Sequence, residues 1–108
     1  MKEQTMFDYE TNLSQAISKK LIEQEATNAK ICIKTMYRQA NKEGEERLYA
    51  IVDLKYTWRL NATEHTADHQ DIPFVLTESG WLSPLFYMQP LDAQGLLYQS
   101  ERDEEREN

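Results

Sequence analysis

Two histidines, His65 and His69, stand four residues apart in the run Glu64-His65-Thr66-Ala67-Asp68-His69-Gln70-Asp71. On a helix they would share a face, and Asp68 or Asp71 would add a carboxylate, a donor set of the kind zinc takes. The flanking residues carry no helical periodicity, however, and no H-E-x-x-H arrangement places a general base between two ligands. A polar, solvent-exposed loop over residues 61–71 is the expectation, with a metal-dependent enzyme as the alternative. Cys32 is the single cysteine, so it has no disulfide partner within the chain and cannot anchor zinc alone. It falls in a predicted strand, where a small buried thiol is the usual outcome, and a nucleophile would need an oriented base beside it. Ser79-Gly80 lacks the preceding glycine pattern of a hydrolase elbow, and the three glycines build no phosphate-cradling loop. Asn12-Leu13-Ser14 and Asn61-Ala62-Thr63 match the glycosylation pattern, but no secretion signal opens the chain. The expectation is a protein that is not an enzyme and uses no cofactor and no metal.

The chain of 108 residues has room for one domain, and at 40% hydrophobic residues its core is thin. We expect a single α+β domain over residues 1–100 and an acidic tail over 101–108. The formal charge of −7 argues against direct contact with nucleic acid, which first demands a cationic surface. No apolar run approaches the roughly 18 residues of a membrane span, so no membrane contact and a cytoplasmic location are expected.

Five elements would position whatever the protein uses. In residues 5 to about 26, Met6, Tyr9, Leu13, Ala16, Ile17 and Leu21 recur at steps of three and four, one face of an amphipathic helix. Thr5 or Thr11 suits its start and Asn28 its exit. Residues 47–60 alternate without a break, with Leu48, Ala50, Val52, Leu54, Tyr56, Trp58 and Leu60 on one side, which is a long strand with one buried face. Residues 30–39 form a strand by propensity, and the polar, glycine-bearing link 41–46 makes the two an antiparallel hairpin. Ile72 to Leu76 suits an edge strand or a helix entry, and Leu91 to Tyr98 a short helix.

Strand 47–60 is far longer than the typical strand of about 5–6 residues. Either a bulge bends it or part of it meets another molecule, and we expect a dimer or higher oligomer. Six tyrosines, two tryptophans, three phenylalanines and four methionines supply the side chains that carry binding surfaces. Trp58 and Phe74 are expected to fill the core. Trp81, Phe86, Tyr87, Met88 and Tyr98 crowd a proline-broken stretch with few polar positions and are expected on the surface.

The segments Ile72-Pro73-Phe74-Val75, then Leu76-Thr77-Glu78-Ser79-Gly80-Trp81-Leu82-Ser83-Pro84-Leu85, and Gln89-Pro90-Leu91-Asp92-Ala93-Gln94-Gly95-Leu96-Leu97 follow one another in the C-terminal half. In that order they resemble the C-terminal half of the SecB-type export chaperones. The hairpin segments 29–35 and 49–57 and the acidic tail are similar as well. The chain departs from the family in opening with a helix where the family opens with a strand. The resemblance implies binding of unfolded or partly folded polypeptide along exposed apolar grooves, with Trp81, Leu82, Leu85, Phe86, Tyr87 and Met88 as the partner-binding residues by position and Tyr49 and Ile51 on the sheet.

The fold expected is therefore α+β: an N-terminal amphipathic helix packed on a small antiparallel sheet built around a long hairpin, with a short C-terminal helical segment. The function expected is non-enzymatic protein binding, as a small chaperone that holds apolar segments of a client polypeptide. The alternative is a small acidic inhibitor or immunity protein, of the kind phages and mobile elements carry, that blocks a basic target protein. Residues 101–108 hold five acids against two arginines and read as a solvated tail. Deleting them should leave the thermal midpoint unchanged within error; a clear drop in a melting experiment would show that the tail is packed.

Overall fold

In the computed structural model, which describes residues 5–98, the helical stripe of the N-terminal segment becomes α1, Met6–Glu23. A capping box opens it: Thr5 Oγ1 accepts from the Asp8 N–H (3.2 Å) while the Asp8 carboxylate accepts from the Thr5 N–H (2.9 Å). It ends where Glu25 enters the left-handed region at φ 61°. Tyr9, Leu13, Ala16, Ile17 and Leu21 are buried along one face, and each leucine or isoleucine so placed contributes about 1.5–3 kcal/mol.

The sheet under α1 is a four-stranded antiparallel meander in the order β1 (Thr27–Ala40), β2 (Glu46–Leu60), β3 (Thr63–Thr77) and β4 (Gly80–Leu82). Asn41 builds the first turn, its side-chain Oδ1 accepting from the Glu43 and Glu45 backbone amides at 2.9 Å. The second turn is the pair Asn61-Ala62, both at positive φ, as a tight two-residue hairpin requires. Residues 63–71 are therefore strand and not the expected loop. Neither of their faces is buried, so they lack the alternation that would announce a strand. The ladder to β2 holds them instead.

Strand β2 keeps its alternation throughout, and its neighbours carry the extra residues. The β1–β2 register shifts between Thr27 and Lys30 and again between Ile33 and Thr35. The β2–β3 register shifts where Asp53 faces Gln70 and Asp71. Lys34 of one bulge reaches across β2 to Asp71 of the other (2.6 Å) and lies 3.9 Å from Asp53. Asp53 in turn accepts from the displaced Asp71 amide at 2.9 Å. The hydrogen bond to Asp71, then the charge of Asp53, hold the Lys34 ammonium above its ordinary pKa.

Beyond β3 the chain doubles back tightly. Gly80 sits at φ +125°, and a Cβ there would collide with the Leu91 carbonyl. Trp81 and Leu91 can therefore exchange two backbone hydrogen bonds (2.9 and 2.8 Å). The expected helix over 91–98 is absent; among the described residues the only helical turn after β4 is a 3-10 turn, Pro84–Phe86. Residues 91–98 instead form a strap along α1. Asn12 fastens it, donating to the Ala93 carbonyl (2.9 Å) while accepting from the Trp81 indole N–H (2.8 Å). At its far end Tyr98 donates to Glu46 (2.5 Å) and rests against Tyr9 and beneath the Arg38 guanidinium.

The core joins the α1 stripe to Leu48, Ala50, Val52, Leu54, Phe74, Leu76, Trp81, Phe86, Leu91 and Ala93. Trp81 and Phe86, expected at the surface, are thus core residues. Trp81 pairs with the buried Leu76, so register places it on the helix side of the sheet. Phe86 folds back against Phe74, ring centroids 6.2 Å apart.

Replacing Trp81 with Ala should cost about 3–5 kcal/mol, and the orphaned Asn12 acceptor adds to the loss. That is a large share of a small domain's stability, so a urea melt should show a collapsed midpoint; a native-like midpoint would contradict the core assignment. Burial, then the Glu46 carboxylate, push the Tyr98 phenol well above its ordinary pKa. Its contribution is therefore intact below about pH 10 and is lost as pH rises through the folded value. Tyr98→Phe should lower stability at neutral pH and flatten the alkaline loss, read as the difference between melts at neutral and strongly alkaline pH. Parallel curves for the two proteins would refute the anchor.

Candidate functional site

The sheet has two apolar regions that no element among the described residues covers, and β-register creates both. The first is the back of the sheet, opposite α1. Tyr37, Tyr49, Val75 and Leu82 are successive cross-strand partners, one row running over all four strands. Beside it lies a second row, Thr35, Ile51 and Pro73. Tyr37 and Tyr49 stack with their rings 5.5 Å apart and nearly parallel. The Lys34–Asp53–Asp71 cluster bounds this patch on the side of the distal hairpin. The patch is thus closed by charge on one side and open above.

The second region faces the same way as α1 but lies past its end. An 18-residue helix is about 27 Å long, whereas the 15 residues of β2 extend about 50 Å. The inward series of β2 nevertheless continues through Tyr56, Trp58 and Leu60. Trp58, expected in the core, is 37% exposed, and Leu60 is 56% exposed. His65 stacks on Trp58 with ring centroids 4.5 Å apart. His69 lies against Tyr56, its Nε2 3.4 Å from the phenol oxygen. Burial raises the Tyr56 phenol above its ordinary pKa, and the nearby Tyr87 hydroxyl adds to the effect. Gln24 and Ala26, just beyond α1, close the inner end of this shelf against Tyr56 and Trp58.

Of the sequence-derived candidates, the structure gathers Tyr49, Ile51 and Leu82 on the back of the sheet. Tyr87 and Met88 project from the exit of the 3-10 turn, at 87% and 51% exposure, both with positive φ. Leu85 is half-buried and packs against the core. Tyr37, Pro73 and Val75 on the back, and Tyr56, Trp58 and Leu60 on the shelf, were not singled out as partner-binding residues. The unbroken alternation of β2 carried the signal for the shelf: its inward series simply outlasts the helix that could cover it.

Strand geometry also sets the two histidines apart. Four residues of strand span about 13 Å, so His65 and His69 share a face yet cannot meet at one ion. Among the described residues, no group of three or more His, Cys, Asp and Glu side chains is gathered closely enough to hold a metal. Cys32, expected to be buried, is exposed on β1 opposite Asp53. No helix among the described residues is long and apolar enough to cross a membrane. No family model, curated protein or solved structure matches the chain.

Proposed function

We propose that this protein is a non-enzymatic protein-binding module, resembling a small SecB-type chaperone, that holds apolar segments of client polypeptides against the back of its sheet. The observation that carries the proposal is the uncovered row Tyr37, Tyr49, Val75 and Leu82, with Ile51 and Pro73 beside it. A contiguous apolar face on a chain this small gains free energy whenever a partner removes it from water. The stacked tyrosines suit that task, offering a broad, stiff surface that loses little entropy when covered. The net charge of −7 limits self-aggregation and favours basic clients. The same face would take a second copy when no client is present, giving an oligomer, and the working compartment would be the cytoplasm.

The inhibitor alternative draws on the acids near the first turn and on those of residues 101–107, which lie outside the described residues. At the turn Glu46 is engaged by Tyr98, and Glu45 by Arg47 and Asn41, so these carboxylates already serve the fold. The two readings separate by salt: apolar capture holds or strengthens as salt rises, whereas charge mimicry weakens steeply.

The test uses reduced, carboxymethylated α-lactalbumin as a permanently unfolded client. The wild type should bind it with an affinity that is flat or rising between low and high salt. The double variant Tyr49→Asp, Ile51→Asp should lose at least tenfold in affinity while its near-ultraviolet circular dichroism stays native. Equal binding by the folded variant would overturn the proposal, and a steep loss of binding with salt would favour the inhibitor.

A further inference from the structure

The strap of residues 91–98 reaches its seat through a short exposed link, residues 87–90. Buried Phe86 precedes the link and buried Leu91 follows it. Within the link Tyr87 and Met88 both adopt left-handed backbone, at φ 56° and 60°. Glycine and asparagine take that region readily, whereas tyrosine and methionine are strained there. Little packing offsets the strain, since both side chains project into solvent. The link is held instead by backbone hydrogen bonds from Tyr87, Met88 and Gln89 to the carbonyls of Pro84, Ser83 and Phe86, each 3.0 Å. Water replaces such exposed bonds at small net cost.

The strap beyond the link is a unit. Its internal bonds, from the Gln94 N–H to the Asp92 carboxylate (2.8 Å) and from the Leu96 N–H to the Ala93 carbonyl (3.0 Å), travel with it. Its outward bonds join Leu91 to Trp81, Asp92 to Lys19, Ala93 to Asn12 and Tyr98 to Glu46. A strap arriving from another copy of the chain would meet the same partners in the same places.

We infer that the protein dimerises by exchanging straps: the link 87–90 extends, and residues 91–98 of each copy seat against α1 and β4 of the other. Extended, the five steps from Phe86 to Leu91 span about 17 Å, enough to pass from one surface to its neighbour's. Every contact of the strap is kept, so two quantities decide the balance. A strap on a short link has an effective concentration for its own seat in the millimolar range. Extension frees two strained residues per chain, four per dimer, each held at a cost of roughly fivefold or more in population. Together they bring the dissociation constant for exchange to the order of micromolar. The inference goes beyond client binding and uses a different part of the molecule from the back of the sheet.

Lys19 and Asp92, surface partners 3.4 Å apart, report whose strap occupies a seat. One chain carries Lys19→Cys and a second Asp92→Cys, both with Cys32→Ser, and the two are unfolded in urea and refolded together well above micromolar concentration. A short bismaleimide should then join the two chains covalently, and a chain carrying both substitutions shows that the reagent spans the gap. Adding Tyr87→Gly and Met88→Gly relieves the strain and should cut the yield of joined chains at least fivefold. Adding Tyr49→Asp and Ile51→Asp should leave that yield unchanged. No joining of the two chains where the doubly substituted chain reacts, a yield that the glycines leave untouched, or its loss in the back-face variant would overturn the exchange. None of these failures touches the unfolded-client assay, which decides the back-face reading by itself.

Discussion

Asn12 holds three parts of the chain at one point. Its amide oxygen receives the indole N–H of Trp81, and its amide nitrogen donates to the carbonyl of Ala93. Helix, final strand and returning strap are thereby fixed with no buried side-chain polar atom left unpaired among the described residues. Without that amide, the large ring of Trp81 would enter the core with an unsatisfied donor, and the strap would lose its middle fastening. Seating Trp81 inward is also what turns Leu82 outward, because successive residues of a strand face opposite ways. One part-buried hydrogen bond thus helps to decide which side chains reach the back of the sheet.

The elements that read plainly in the sequence are those with one buried face. The stripe of α1 and the alternation of β2 both follow from contact with the core, and both are where periodicity places them. The first half of β3 was illegible for the opposite reason. Glu64 to Gln70 bury almost nothing, so hydrogen bonding to β2 makes them a strand, and that leaves no pattern in side-chain type. The strap was illegible because its shape depends on distant partners: Gly80 without a Cβ, the Trp81–Leu91 bridge, and the amide of Asn12.

The candidate site was legible in part. An excess of aromatic and methionine side chains over what a thin core can take pointed to a binding surface, but composition could not say which rings were left outside. The residue pattern puts Trp81 and Phe86 outside, and they lie within; it puts Trp58 within, and it lies partly outside. Both errors come from one missing fact, the register between strands and the point along β2 where α1 stops. Length alone hinted at the second, since an 18-residue helix cannot cover a 15-residue strand.

The outer margin of β1 has a bearing on solubility. Fourteen residues of strand lie at the rim of the sheet, the kind of margin on which other chains nucleate fibrils. Its irregularities at Asn28 and Lys34, with Lys30 between them, break that margin into short lengths of mismatched pitch. A molecule that keeps greasy faces open to water can thus resist indefinite ribbon growth, because its faces are on offer and its peptide groups are not.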